Sequence, residues 1–421
     1  MERSLTEFFL VITILGCFSF FAKFFSIIER FQIPISLISS SFVLILFTLF
    51  DDLKSSTIFS TWKSWPSELI AIIFASLFLE KSENSSQSTF NEIVNEGILV
   101  WLSVLGQTII AISLTLFVFQ KFYEIPMSFA IILETGFAGG HGTAFAMKEI
   151  LEKNGLKGGL EFGLFSATAG MILGIVGGIF IIIKEGKKIR ENSIVSEKFS
   201  ISYFSLIFSG TLIFIAYFIG KLLQATFQSY STPIPVLPLF VYALFGSILL
   251  KFLLKISKQE YLLDNSSNSL IASIVMEILI FTGISTMNLQ IILKFLIPLL
   301  ILFGFGFLWN LFCHFVLSKK LIHNNYRFEL SLINFGMLNG TTATGLMLWK
   351  MTDPSMKSKA GKIYAAASPF SAPFIGGGIL TLSYPFLLTN FNPNLILFIL
   401  ISVWFSLFFF GKHLLKKIQK F

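Results

Sequence analysis

The chain has 421 residues, of which 54% are apolar and only 13% charged, and its mean hydropathy is +0.81. Water-soluble domains carry about 25% charged residues, so a soluble enzyme, a disordered chain and a small disulfide scaffold are excluded, and an integral membrane protein remains. The net charge of +8 sits in short loops between apolar runs. It therefore reads as a topology signal rather than as a nucleic-acid surface.

A spanning helix needs about 20 mostly apolar residues, because every backbone N–H and C=O must find its partner inside the segment. In chain order the run MERSLTEFFLVITILG opens without a strongly basic leader or a small-residue cleavage site, so it reads as a retained first span. The spans expected are Leu5–Ile27, Ile33–Phe50, Pro66–Leu79, Gly97–Phe119, Gly159–Lys184, Ser200–Leu223, Pro235–Leu254, Ser269–Thr286, Ile291–Leu317, Lys362–Leu388 and Leu395–Gly411. The third is the shortest, bounded by Pro66 and the Glu80–Glu83 polar run. Cys17 and Cys313 both fall in apolar stretches, so neither a disulfide framework nor a Cys-based metal spacing is present.

Two further apolar stretches, Pro126–Met147 and Phe328–Met351, are interrupted in mid-segment by ETGFAGGHGTAFAM and INFGMLNGTTATGLM. Helix breakers at membrane depth are tolerated only where the backbone lies against protein or a water-filled cavity. Both stretches are expected to be re-entrant loops that enter and leave on one side. With the N-terminus outside and these loops not crossing, 22 of the 31 Lys and Arg residues fall inside, as the positive-inside rule requires. The same assignment opens the first loop outward and the second inward.

That opposition is expected of an inverted repeat. The fold class expected is thus an all-α integral membrane protein of about 11 transmembrane helices. Residues 1–190 form an N-terminal repeat of about five spans with re-entrant loop 126–147. Residues 191–390 form the inverted C-terminal repeat with loop 328–351, and residues 391–421 add one span and a basic cytoplasmic tail. The halves divide at the polar stretch KEGKKIRENSIVSEK.

The candidate site lies between the loop tips. Glycine lets backbone approach a ligand closely, exposed N–H groups favour a carboxylate, and unwound carbonyls with Thr or Asn oxygens suit a hard cation. Substrate-binding candidates are Gly139, Gly140, His141, Gly142, Thr143, Gly340, Thr342 and Thr344; cation-binding candidates are Asn339, Thr341, Thr342 and Glu277. His141 either bonds a substrate carboxylate or organises the loop, and no i, i+4 partner makes it a metal ligand. Glu277 is ionisable in mid-span, where it either couples a cation or proton or pairs with a lysine. Gln107 and Asn334 are secondary candidates that an interhelical hydrogen bond would equally explain. Glu134 and Glu161 flank the first loop, the latter suited to a helix N-terminus. The one-to-four spacing of Gly174 and Gly178, with Gly177 beside them, reads as helix packing.

The run GGHGTAFAMKEILEKNGL followed by LEFGLFSATAGMILGIVGG resembles the corresponding stretch of the bacterial sodium/glutamate symporters. Gly340, Thr341, Thr342, Ala343 and Thr344 occupy the places of that family's second loop, with Ala343 where a proline is usual. The resemblance implies a ten-span core of two inverted halves, frequently dimeric, in the bacterial inner membrane. It implies sodium-coupled symport of glutamate or a related carboxylate by alternating access, with Na+ as coupling ion and a homodimer as the expected assembly. The alternatives are a transporter of another organic anion or amino acid with different coupling, an intramembrane enzyme, or a channel. No GxSxG or HExxH motif and no buried aspartate pair supports an enzyme.

Overall fold

The computed structural model describes residues 2–25, 28, 33–54, 56–77, 79, 90–186, 202–229, 239–353, 358–371 and 373–418. The Glu80–Glu83 run and residues 187–198 of the dividing polar stretch lie outside them. Every regular element among the described residues is helical. The main helices are α1 (Glu2–Ala22), α2 (Ile35–Leu49), α3 (Thr57–Ser64), α4 (Pro66–Leu77), α5 (Phe90–Leu114), α6 (Gly140–Lys153), α7 (Gly159–Lys184) and α8 (Tyr203–Ser229). They continue with α9 (Leu239–Ile256), α10 (Asn265–Ser285), α11 (Leu296–Phe312), α12 (Arg327–Asn339), α13 (Thr342–Thr352), α14 (Ala360–Ala367), α15 (Ile379–Asn390) and α16 (Pro393–Ile418).

Among the described residues, 8 helices are long and apolar enough to cross a membrane, and they fall in eight of the eleven expected spans. The protein is a multi-pass, all-α membrane protein. The other three segments differ from expectation. Helix α2 has 15 residues and α4 has 12, or about 22 and 18 Å at 1.5 Å per residue. The segment Lys362–Leu388 is no continuous span: α14 stops at Ala367, and α15 starts only at Ile379. Between them Gly376 (φ 64) and Gly377 (φ 106) take positive-φ conformations that the interior of a right-handed helix does not contain.

The helices group into two compact units. The first joins residues 1–84 to 195–287. Its centre is aromatic and aliphatic, with Trp62 and Phe281 rings 5.3 Å apart among Val11, Val43, Phe47 and Ile278. Helices α8 and α9 approach through small residues: a Cβ on Gly220 would stand 2.6 Å from Ala243 Cα, the close backbone contact on which helix association in membranes relies.

The second unit joins residues 85–194 to 288–421 and contains both glycine-broken segments. Helix α5 is its spine. Trp309 of α11 donates from Nε1 to the Ser103 carbonyl (2.8 Å), and Trp404 of α16 donates to Leu102 O (2.9 Å). A Cβ at Gly106 would collide with the Trp309 ring. Indole donors thus fix two neighbours to buried carbonyls of a third helix, satisfying polar groups that lipid cannot.

Candidate functional site

The first broken segment runs as Met127–Ala138, ends in a π turn from Glu134 to Ala138, and restarts as α6 at Gly140. Gly140 has φ 68, a conformation costing other L-residues about 1–2 kcal/mol. The second segment ends α12 at Asn339 and restarts as α13 at Thr342. Thr341 caps the restart by accepting the Thr344 N–H on Oγ1 (3.4 Å). Helices α12 and α13 fold back on each other as a hairpin. A Cβ on Gly336 would lie 2.5 Å from Gly345 Cα, and one on Gly345 would strike the Ile333 carbonyl.

The two breaks meet. A Cβ built on Gly140 would stand 3.4 Å from both Gly340 O and Thr341 Cγ2. The small face of α7 backs the second break: Gly340 approaches Met171 Cα, and Gly174 approaches Asn339 Cβ and Thr344 Cγ2. Further along α7, Gly177 seats Phe307 and Phe335, and Gly178 seats Leu348, so this stripe packs helices as its spacing suggested. Two helix N-termini, those of α6 and α13, and two helix C-terminal ends, Ala138 and Asn339, are therefore gathered around one contact.

Polar side chains fix this arrangement. His141 is buried, with Nε2 3.1 Å from Thr168 Oγ1 of α7. Thr143 donates to Gly139 O (2.8 Å) and Gly376 O (3.4 Å), and Gly142 is half-buried in the first turn of α6. Thr341 and Thr342 are exposed at the second break, while Asn339 and Thr344 are buried. Thr342 Oγ1 lies 3.1 Å from the Tyr364 hydroxyl. Asn339 is held on both sides, donating to Phe335 O (2.7 Å) and accepting from Asn310 Nδ2 (2.9 Å). Gln107 in turn donates to Asn310 Oδ1 (2.9 Å) and Leu338 O (3.0 Å). It is an interhelical tie.

Ten of the eleven substrate- and cation-binding candidates thus cluster at the two breaks. Glu277 does not belong with them. It lies in the first unit, where Oε2 accepts the Ser36 N–H (2.9 Å) at the start of α2, a carboxylate on a helix N-terminus. Glu161 likewise sits in the first turn of α7.

Sequence reasoning missed the glycine turn between α14 and α15. Glu134, wholly buried before the first break, accepts from Thr108 Oγ1 on one oxygen and from Thr381 Oγ1 and Gly376 N (3.3 Å) on the other. It clamps the turn against the first break, where Gly376 and Gly377 face Ala138 and Thr143. The signal was present as Gly376-Gly377-Gly378 inside an apolar run. Asn310, a lone amide in LILFGFGFLWNLF, was a second.

A family model described as sodium/glutamate symporter matches residues 3–347, a stretch that takes in both breaks. The chain belongs to the sodium/glutamate symporter family. Comparison with curated proteins and with solved structures gave no match. Membership of a symporter family makes the protein a secondary transporter of a small solute, not an enzyme.

Proposed function

We propose that this protein is a sodium-coupled symporter of glutamate or a related carboxylate, working by alternating access in the bacterial inner membrane with its N-terminus outside. The observation that carries the reading is the meeting of Gly140 with Gly340 and Thr341. The N-termini of α6 and α13, where the first N–H groups have no partner within the helix ladder, favour a carboxylate there. Carbonyls ending the preceding segments, with the Thr341 and Thr342 hydroxyls, suit Na+. Co-binding offsets charge in a low-dielectric site, so cation and anion bind better together than apart.

The inverted-repeat reading draws support from a repeated order of local structure within the second unit. Helix α5 is followed by a π turn at Thr115–Phe119, one turn at Gln120–Tyr123, a short segment, a glycine break and another helix. Helix α11 is followed by a π turn at Cys313–Leu317, one turn at Ser318–Leu321, α12, a glycine break and α13. In this reading the segments 126–147 and 328–351 are re-entrant from opposite faces, residues 1–190 and 191–390 are the repeats, and 391–421 is an added span. Gly139, His141, Gly142, Thr143 and Thr344 line or shape the substrate position, and Asn339 holds the second tip in register.

Melting of the purified protein tests the site. Sodium and glutamate together should raise the midpoint more than either alone, since a ligand bound only by the folded state stabilises it. A midpoint indifferent to every carboxylate, with or without sodium, would remove glutamate-class substrates from consideration.

A further inference from the structure

Among its described residues the second unit buries two glutamates, and they are provided for differently. Glu134 has three donors on its two oxygens, as described. Glu96, on α5, is 0% exposed. Its Oε1 accepts one hydrogen bond, from Asn334 Nδ2 of α12 (2.8 Å). Its Oε2 has no hydrogen-bond partner, and neither has Asn334 Oδ1.

An ionised carboxylate accepts on both oxygens, and one taken out of water needs further donors or a counter-charge. No described ion pair involves Glu96. The helices that carry the pair, α5 and α12, contribute Leu99, Leu102, Leu330 and Ile333 to one buried apolar cluster. The titratable groups that feel its charge are the hydroxyls of Tyr326, just before α12, and Tyr364 of α14. Tyr326 also donates to Glu92, one turn earlier on α5 (3.0 Å). A cation would need about six oxygens, whereas this pair offers two carboxylate oxygens and one amide oxygen.

We propose that Glu96 is a proton-binding site of the transport cycle, its carboxyl taking up one proton on Oε2 when paired with Asn334 and giving it back to water when α5 and α12 separate. The proton supplies the donor that both orphaned acceptors lack. Carboxylic acid and primary amide then form a two-hydrogen-bond pair, N–H to Oε1 and O–H to Oδ1, each planar group using both of its heteroatoms. No other bond changes: hydronium delivers the proton and water remains.

The pair is placed to be sensed by the transport site. Asn334 lies on α12, whose C-terminal end is the second break at Gly340. Asn334 also lines a small cavity of about 10 Å³ with Ser103, Asn310, His314 and Ser331, room for about one water molecule. Asn310 bonds Asn339 directly. His314, which also lines this cavity, lies 3.7 Å from Glu185 at the end of α7, and Glu185 also pairs with Arg327 (3.2 Å). The cavity offers the proton a water-sized step towards those end groups.

The inference rests on the transport reading for its coupling but not for its chemistry, so two measurements separate them. In infrared difference spectra recorded between about pH 5 and pH 9, the wild-type protein should show the carbonyl stretch of a buried carboxylic acid. Glu96→Gln, which keeps the amide-type pairing with Asn334, should lose it. A wild-type spectrum without that band, or an unchanged band in the variant, overturns the proposal whatever the protein transports. In proteoliposomes, sodium-driven glutamate uptake by the wild type should vary with pH, and Glu96→Gln should lose that variation. The same pH profile in both overturns the coupling. Wild-type vesicles that take up no glutamate would overturn the transport reading and leave the infrared test standing.

Discussion

Substituting Gly336→Ala would place a methyl group 2.5 Å from Gly345 Cα and 2.6 Å from its nitrogen. Carbon atoms in contact prefer about 3.5–4.0 Å, so α12 and α13 must part by about 1 Å or the methyl must be accommodated by strain. Overpacking of this kind costs about 1–3 kcal/mol, and because the obstacle is backbone, no side chain can swing aside. Alanine also favours a helix over glycine by up to about 1 kcal/mol, which blurs the single measurement. Gly304→Ala supplies the reference: it lies in α11, exposed, with nothing within 4 Å of a built Cβ. The two variants share the propensity gain and differ in the clash. Midpoints of thermal melting in detergent should rank Gly304→Ala at or above wild type and Gly336→Ala below both. The gap should correspond to about 1–3 kcal/mol, or about 5- to 150-fold in the folding equilibrium. A Gly336→Ala protein melting with or above Gly304→Ala would refute the tight hairpin.

Three further outcomes follow from the same geometry. Gly140→Ala must hold a left-handed conformation and bring a methyl within 3.4 Å of Gly340 O; it should lose the melting shift caused by sodium with glutamate, and an unaltered shift would contradict a site at the breaks. Thr381→Val removes a hydroxyl donor from the buried Glu134 carboxylate. It should cost about 1.5–3 kcal/mol, with Thr381→Ser largely restoring the melting midpoint. In the first unit Asp264 caps α10, and hydroxyl hydrogen bonds from Ser205 and Ser267 hold its carboxyl below the usual carboxylate range. A depressed folded-state value means the stabilisation is present above about pH 4 and lost as pH falls below it. The melting midpoints of wild type and Asp264→Asn should differ at neutral pH and converge in strong acid.

How much of this was legible in the sequence depends on how local the cause is. Hydropathy over 20 residues locates long helices because each satisfies its own backbone, and eight expected spans carry one. The breaks at Gly139–Gly140 and Gly340–Thr341 were legible because glycine and threonine clusters have no packing use in mid-helix. The turn at Gly376–Gly378 carried the same signature but sat inside a window apolar enough to pass for one span, and hydropathy hid it. Pairings were out of reach. Nothing near Glu96 announces Asn334, 238 residues away, and nothing near Glu134 announces Thr381, 247 away. Glu277 stands out in the sequence as an ionisable group in mid-span, yet its partner is a helix N-terminus, a backbone feature that no residue type at Ser36 betrays. The π turns after α5 and α11 follow no residue signal that we can identify.

The central claim is that the two meeting breaks hold a small carboxylate and a sodium ion that cross the membrane together. Its most direct test is uptake of labelled glutamate by proteoliposomes with an inward sodium gradient, against the same vesicles with sodium replaced by choline. The account predicts accumulation only with the gradient, and its loss when a sodium ionophore collapses it. Uptake that is equal in sodium and choline, or sodium-driven uptake that persists undiminished in Gly140→Ala, would contradict it.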